Sequence, residues 1–204
     1  MTRAARHPVQ QLAMAAAVLI AVALTACGTG NRAGHSTTAR SSPNSTTPFA
    51  WLRPEPLGGA WRVVTLPSGA ELARPPGWRP VHSDPGTASF AMRGANGAIV
   101  AYLNATPRQG AETPANWATF RVHHNAEEGS RDDRSIAAAR GLRFRSGPGS
   151  CVIDQYRTSA RAYREIACLV VGPGRATVVV GAATPELWAR EAPVIERAIS
   201  AFLA

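Results

Sequence analysis

The chain contains no lysine; all 22 of its basic residues are arginine. That absence excludes three kinds of chemistry. A Walker A loop needs a lysine on the phosphates, the Ser-x-x-Lys acyl-transfer pair needs one beside its serine, and Schiff-base catalysis needs its amine. Two further patterns are missing: there is no Gly-x-Ser-x-Gly nucleophile elbow and no His-Glu-x-x-His zinc helix. Acids are scarce at 13, so the formal net charge is +9. Aromatics make up 6% of the residues and cysteines number 3. No apolar run reaches the roughly 20 residues that a membrane-spanning helix requires.

The longest apolar run lies near the start. Arg3 and Arg6 precede "LAMAAAVLIAVALTA", Leu12 to Ala26, and Cys27 follows directly. A basic leader, a short apolar core and small residues at its end have the form of a secretory signal peptide. Leu24-Thr25-Ala26-Cys27 resembles a bacterial lipobox. The resemblance implies cleavage after residue 26 and a diacylglyceryl group on the Cys27 sulfur. It thereby implies a lipoprotein anchored on the extracytoplasmic face of the cell membrane, since multiple acyl chains give stable attachment.

From Gly28 to Pro48 the chain is rich in Ser, Thr, Gly, Asn and Pro and holds no large apolar residue. Such a stretch cannot bury enough surface to fold, so residues 27–50 are expected to form a lipidated, disordered tether. Residues 51–204 remain for one domain with a single core. Export argues against nucleic acid as a partner of this basic chain. Anionic lipid headgroups or cell-wall polymers are the compatible anionic surfaces, although arginines spread over solvated faces account for the charge equally well.

Turn residues divide the domain. Trp61–Leu66 and Ala70–Arg74 flank Pro67-Ser68-Gly69, and Thr87–Arg93 and Ala98–Ala105 flank Gly94-Ala95-Asn96-Gly97, which predicts two hairpins. Thr113-Pro114 predicts the start of a helix, with threonine as cap and proline in the first turn. Trp117, Phe120 and Val122 lie roughly on one face of it and Gly129 ends it. Arg134–Arg140 and Gly141–Ser146 read as strands; in the second, Leu142 and Phe144 alternate with Arg143 and Arg145. Arg175–Thr184 reads as an apolar strand. Thr184-Pro185 opens a final helix with Leu187, Trp188, Ile195, Ile199 and Phe202 along it, and Pro193 is expected to bend that helix.

The remaining cysteines fall on strand-like segments, Cys151–Thr158 and Arg161–Gly172, separated by Ser159-Ala160. If those two residues are the turn, Thr158 faces Arg161. Seven residues outward on each strand then stand Cys151 and Cys168. Directly opposed residues of an antiparallel pair bring their Cβ atoms within about 4.5–5.5 Å, close enough for a disulfide in an exported protein. Cys151 and Cys168 are therefore read as bridged, leaving Cys27 for its lipid.

Candidate chemistry is thin. His123, His124, Glu127 and Glu128 cluster near a helix end, but zinc wants three or four convergent ligands, and an exposed polar helix end explains them. Asp132-Asp133 and Asp154/Glu165 are carboxylate pairs of a kind common on surfaces. Trp78, Trp117 and Trp188 suit a core or a groove. The expectation is a protein that is not an enzyme, with no metal, cofactor or catalytic residue.

The order of elements carries a wider resemblance. "LPSGAELARPPGWRPV", with Pro76-Gly77-Trp78 after an early strand, then "GAIVAYLNAT", the central helix, the cysteine hairpin and "ATVVVGAATPELWAREAPVIERAISAF" resemble the PsbP/Mog1-type domain over residues 60–203. They are more closely similar to actinobacterial lipoproteins of that superfamily. The resemblance implies an α+β fold, a mostly antiparallel β-sheet sandwiched by helices with the C-terminal helix packed on the sheet. It also implies a non-enzymatic accessory role, though folds of this kind serve unrelated processes. The function expected is a protein-interaction module at the cell envelope; the alternative is a carrier or sensor holding a lipid or small amphiphile in a pocket between sheet and helices.

Overall fold

The computed structural model describes residues 47–204; the leader, Cys27 and the segment up to residue 46 lie outside the described residues. Packing begins earlier than Trp51. A single 3-10 turn, Thr47–Phe49, inserts Phe49 into the core at 3% exposure, and Trp51 and Leu52 pack beside it. Residues 47–50, expected in the tether, therefore belong to the folded unit, because an aromatic ring there covers apolar surface.

Nine strands and two helices follow. β1 (Arg62–Thr65) and β2 (Glu71–Arg74) form a separate antiparallel ribbon. Its Pro67-Ser68-Gly69 turn closes with Gly69 at φ +89°, a conformation glycine adopts without steric cost. The main sheet contains β3 (Arg79–Pro80), β4 (Ala88–Arg93), β5 (Ile99–Pro107), β6 (Arg131–Arg143), β7 (Pro148–Arg157), β8 (Ala162–Val171) and β9 (Ala176–Ala183). Their spatial order is β3-β4-β5-β9-β8-β7-β6, and every adjacent pair is antiparallel.

Side chains of alternate residues serve the two faces of the sheet. On one face Leu103, Ile166, Cys168 and Val179 pack with Ile195, Ile199 and Phe202 of the final segment. On the other, Val152, Ala167, Leu169, Val178 and Val180 pack with Trp117. Helix α1 (Trp117–Glu127) thus lies on one face and α2 (Pro185–Ala201) on the other, and the α+β sandwich expected from the sequence is the fold observed. Gly181 sets how closely α2 approaches: a Cβ there would stand 2.4 Å from Ile195 Cγ2 and 2.9 Å from Leu103 Cδ2. Among the described residues no helix is long and apolar enough to cross a membrane.

Local expectations met different fates. The cysteine hairpin has the expected register, with Arg157 opposite Ala162, the Thr158 N–H bonded to the Arg161 carbonyl, and Cys151 opposite Cys168 in a disulfide. Helix α1 starts at Trp117 rather than beside Pro114. Thr113 and Asn116 bond each other reciprocally, so the Thr-Pro pair builds a turn ahead of the helix. The two short strands expected from Arg134 to Ser146 are one bulged strand, β6, with Asp132 and Gly141 at positive φ, and Phe144–Gly147 form the turn after it. Helix α2 does begin at Thr184-Pro185, and it runs on through Pro193, which sits exposed.

The disulfide joins two buried residues in adjacent strands. In the chain-entropy account, closing a loop of this size contributes about 3 kcal/mol. Cys151→Ala with Cys168→Ala is expected to lose about 3 kcal/mol of unfolding free energy and so to unfold at lower urea, and an unchanged midpoint would mean that the bridge adds nothing to stability.

Candidate functional site

Helix α1 has 11 residues, so it is about 16 Å long and, with side chains, about 10 Å wide. Seven strands at about 4.8 Å spacing span some 29 Å. One short helix cannot cover that face. It packs chiefly on β6, β7 and β8, and on the same face Ser89, Tyr102, Asn104 and Thr106 of β4 and β5 are only half-buried. The uncovered strip is a cleft of about 580 Å³, within the roughly 300–1,000 Å³ of small-ligand sites.

The α1 wall carries three rings in series. Trp117 and Phe120 are stacked with centroids 6.2 Å apart, and Phe120 and His124 with centroids 5.7 Å apart. Trp117 is fixed by its indole N–H, which donates to the Ala167 carbonyl at 2.9 Å. The floor is Tyr102 with Val178 and Val180. The opposite wall is polar and carries one acid, Asp84, beside Thr87: Asn104 Nδ2 donates to Ser89 Oγ at 2.8 Å, and Thr87 Oγ1 donates to Thr106 Oγ1 at 3.0 Å. At one end the Glu112 carboxylate, 3% exposed, accepts the backbone N–H groups of Gln109 and Gly110, both at 2.8 Å.

Beside the cleft lies a buried polar network. Arg121 donates from Nε and Nη2 to the two oxygens of Glu165 at 2.7 and 2.9 Å, with side-chain exposures of 12% and 0%. The Tyr102 hydroxyl donates to the same Glu165 at 3.0 Å and meets the Tyr156 hydroxyl. Asp154 faces Glu165 across β7 and β8, 1% exposed, and neither of its oxygens has a hydrogen-bond partner. Burial, reinforced by the Glu165 charge, pushes the Asp154 carboxyl up to about 9, so it is protonated at neutral pH. Burial likewise raises Tyr102 and Tyr156, with Glu165 adding to both. Burial alone would lower Arg121, but the Glu165 charge outweighs it and the guanidinium stays charged.

The carboxylate pair Asp154/Glu165 is thus interior, contrary to its surface reading. Their pairing is legible, since the register that opposes the cysteines also opposes these two acids, three positions nearer the turn, but the register does not reveal their burial. Among the histidines, His124 Nε2 lies 3.2 Å from Glu128 Oε1 and its ring stacks on Phe120, while His123 is exposed. No group of three or more His, Cys, Asp or Glu side chains converges as metal ligands among the described residues. Trp117 is the groove tryptophan; Trp78 and Trp188 pack with the α2-side core.

No protein-family model matches the chain, and no curated protein matches it. Solved structures do. Cyanobacterial PsbP (CyanoP) from Synechocystis sp. PCC 6803 aligns at TM-score 0.50 and 15% identity, covering 72% of this chain and 96% of that one. The fold is accordingly PsbP-like. Protein PA94 of unknown function from Pseudomonas aeruginosa aligns at TM-score 0.46 and 15% identity, over 70% of this chain and 95% of that one. LpqN, involved in cell envelope biogenesis of Mycobacterium tuberculosis, aligns at 0.42 and 12%, over 80% and 100%.

Proposed function

We propose that the protein is an exported, lipid-anchored, non-enzymatic accessory module of the cell envelope that holds a small amphiphile in the cleft beside α1. The carrying observation is that cleft: an apolar floor, a ring-lined wall and a polar wall, at the size of a small-ligand site. It favours the ligand reading over the partner reading that the sequence alone put first. The polar groups nearest it support binding over catalysis, since Arg121 and Glu165 are committed to each other and Asp154 lies sealed beneath. Export is supported by the signal-peptide pattern and by the Cys151–Cys168 bridge, a bond that persists in oxidising compartments. Anchoring rests on Cys27 in its lipobox setting.

Two measurements test the parts separately. Cys27→Ala is expected to move the protein out of the membrane fraction; retention there would place the anchor elsewhere. Residues 47–204, which hold the whole described core, can be secreted and weighed by native mass spectrometry. A mass above that of the polypeptide, lost on denaturation, is expected. A bare polypeptide mass, together with no uptake of added amphiphile, would overturn the ligand reading.

A second reading, a protein partner, has one observation behind it. β6 is a thirteen-residue edge strand with Ile136 exposed at 41%, and an open edge can accept another strand. Its bulges weaken that template. Crosslinking at the membrane would reveal such a partner.

A further inference from the structure

The cleft differs in electrical sign from the domain that contains it. The chain carries +9, and Arg3, Arg6, Arg32 and Arg40 precede the described residues, which leaves +5 on the domain. Around the cleft the balance reverses. Asp84, Glu112 and Glu128 line it, with Arg121 as the sole arginine of the lining. Arg121 is already neutralised by Glu165 through two hydrogen bonds. Asp84 is exposed and makes no ion pair among the described residues; Glu128 has only His124. Glu112 is buried against backbone amides, and the Arg108 guanidinium reaches its carbonyl at 3.5 Å, not its carboxylate. A concave site lined by one sign of charge concentrates the field inside it and draws in the opposite ion.

The rings lie between the acids. Trp117, Phe120 and His124, stacked in series along α1, line the cleft together with Glu112 and Glu128. A wall that is apolar along its length and acidic at its rim suits an apolar body joined to a cationic head. We infer that the cleft selects an amphiphile with a cationic head, an ammonium or guanidinium joined to an apolar body, over anionic and neutral amphiphiles of the same chain length. The body lies over Tyr102, Val178 and Val180, and the head meets the carboxylates at the rim. This rests on the ligand reading given above and goes beyond it by naming the head group.

The domain's own charge makes the test discriminating, because a non-specific surface of +5 attracts anions. Dodecylammonium, dodecyl sulfate and dodecyl maltoside, each below its micelle concentration, are titrated into secreted residues 47–204 by calorimetry at moderate salt. Dodecylammonium is expected to bind about tenfold more tightly than either of the others, equivalent to about 1.4 kcal/mol. Asp84→Asn combined with Glu128→Gln is expected to remove most of that preference while the disulfide-bonded fold melts as before. Equal binding of all three probes would overturn the head-group inference and leave the ligand reading standing. Tighter binding of dodecyl sulfate would also overturn it. If none of the three binds, the ligand reading itself fails.

Discussion

Glu165→Ala is expected to cost about 3–5 kcal/mol of stability, a large fraction of what holds a domain of this size together. The mechanism is an orphaned charge. Arg121 is 12% exposed, and both of its bonds to carboxylate end on Glu165. Without that carboxylate the guanidinium must either find water or draw a proton off Asp154, the buried acid on the neighbouring strand. Urea unfolding reads the loss directly. Replacing both partners, Arg121→Met with Glu165→Leu, is expected to restore most of it, since removing a buried pair whole leaves no uncompensated charge. A loss under about 1 kcal/mol for Glu165→Ala would show that the pair is solvated in solution.

Asp154→Asn is expected to act in the opposite direction and to depend on pH. The carboxyl's ordinary value is near 3.8 and its folded value about 9. Between those values the folded chain holds a proton that the unfolded chain has lost. Its contribution is therefore fully present below about 3.8 and falls as pH rises toward 9, with a slope of up to about 1.4 kcal/mol per pH unit. Asparagine keeps the shape and has nothing to ionise. The variant should melt above the parent at pH 8, with the gap narrowing toward pH 5. Parallel melting profiles across that range would mean that Asp154 gains a counter-charge or water in the native state.

What could be read from the chain, and what could not, follows from the range of each signal. Turn chemistry is local, so Gly69, Gly97 and Ser159-Ala160 mark their hairpins with usable register. The Cys151–Cys168 bridge follows from that register. The start of α1 lies later than expected because Thr113-Pro114 and Asn116 are both competent there, and their mutual hydrogen bonds decide it. Two of the three bulges of β6 contain a residue at positive φ, Asp132 and Gly141, and the glycine advertises it more plainly than the aspartate. The register that pairs the cysteines also aligns Asp154 with Glu165, yet nothing local to these acids tells that their face is covered. Whether an alternating strand buries its polar side depends on what lies on that face, here α1 through Arg121. The cleft is hardest of all to foresee, being the part of a sheet that a short helix fails to cover.

Phe49 gives the domain a mechanical polarity. The chain enters on the α2 side, where Phe49 joins that core and the Arg53 N–H bonds Ser200 Oγ at 3.3 Å, while the cleft opens on the α1 side. Tension arriving from the N-terminal end therefore loads Phe49 and the seat of α2 first. Along the chain the first part of the cleft beyond the β1–β2 ribbon is its polar wall, with Ser89 on β4, while the ring-lined wall stands on α1, much later in the chain. A pull that loosened the N-terminal turn would reach the polar wall before the rings.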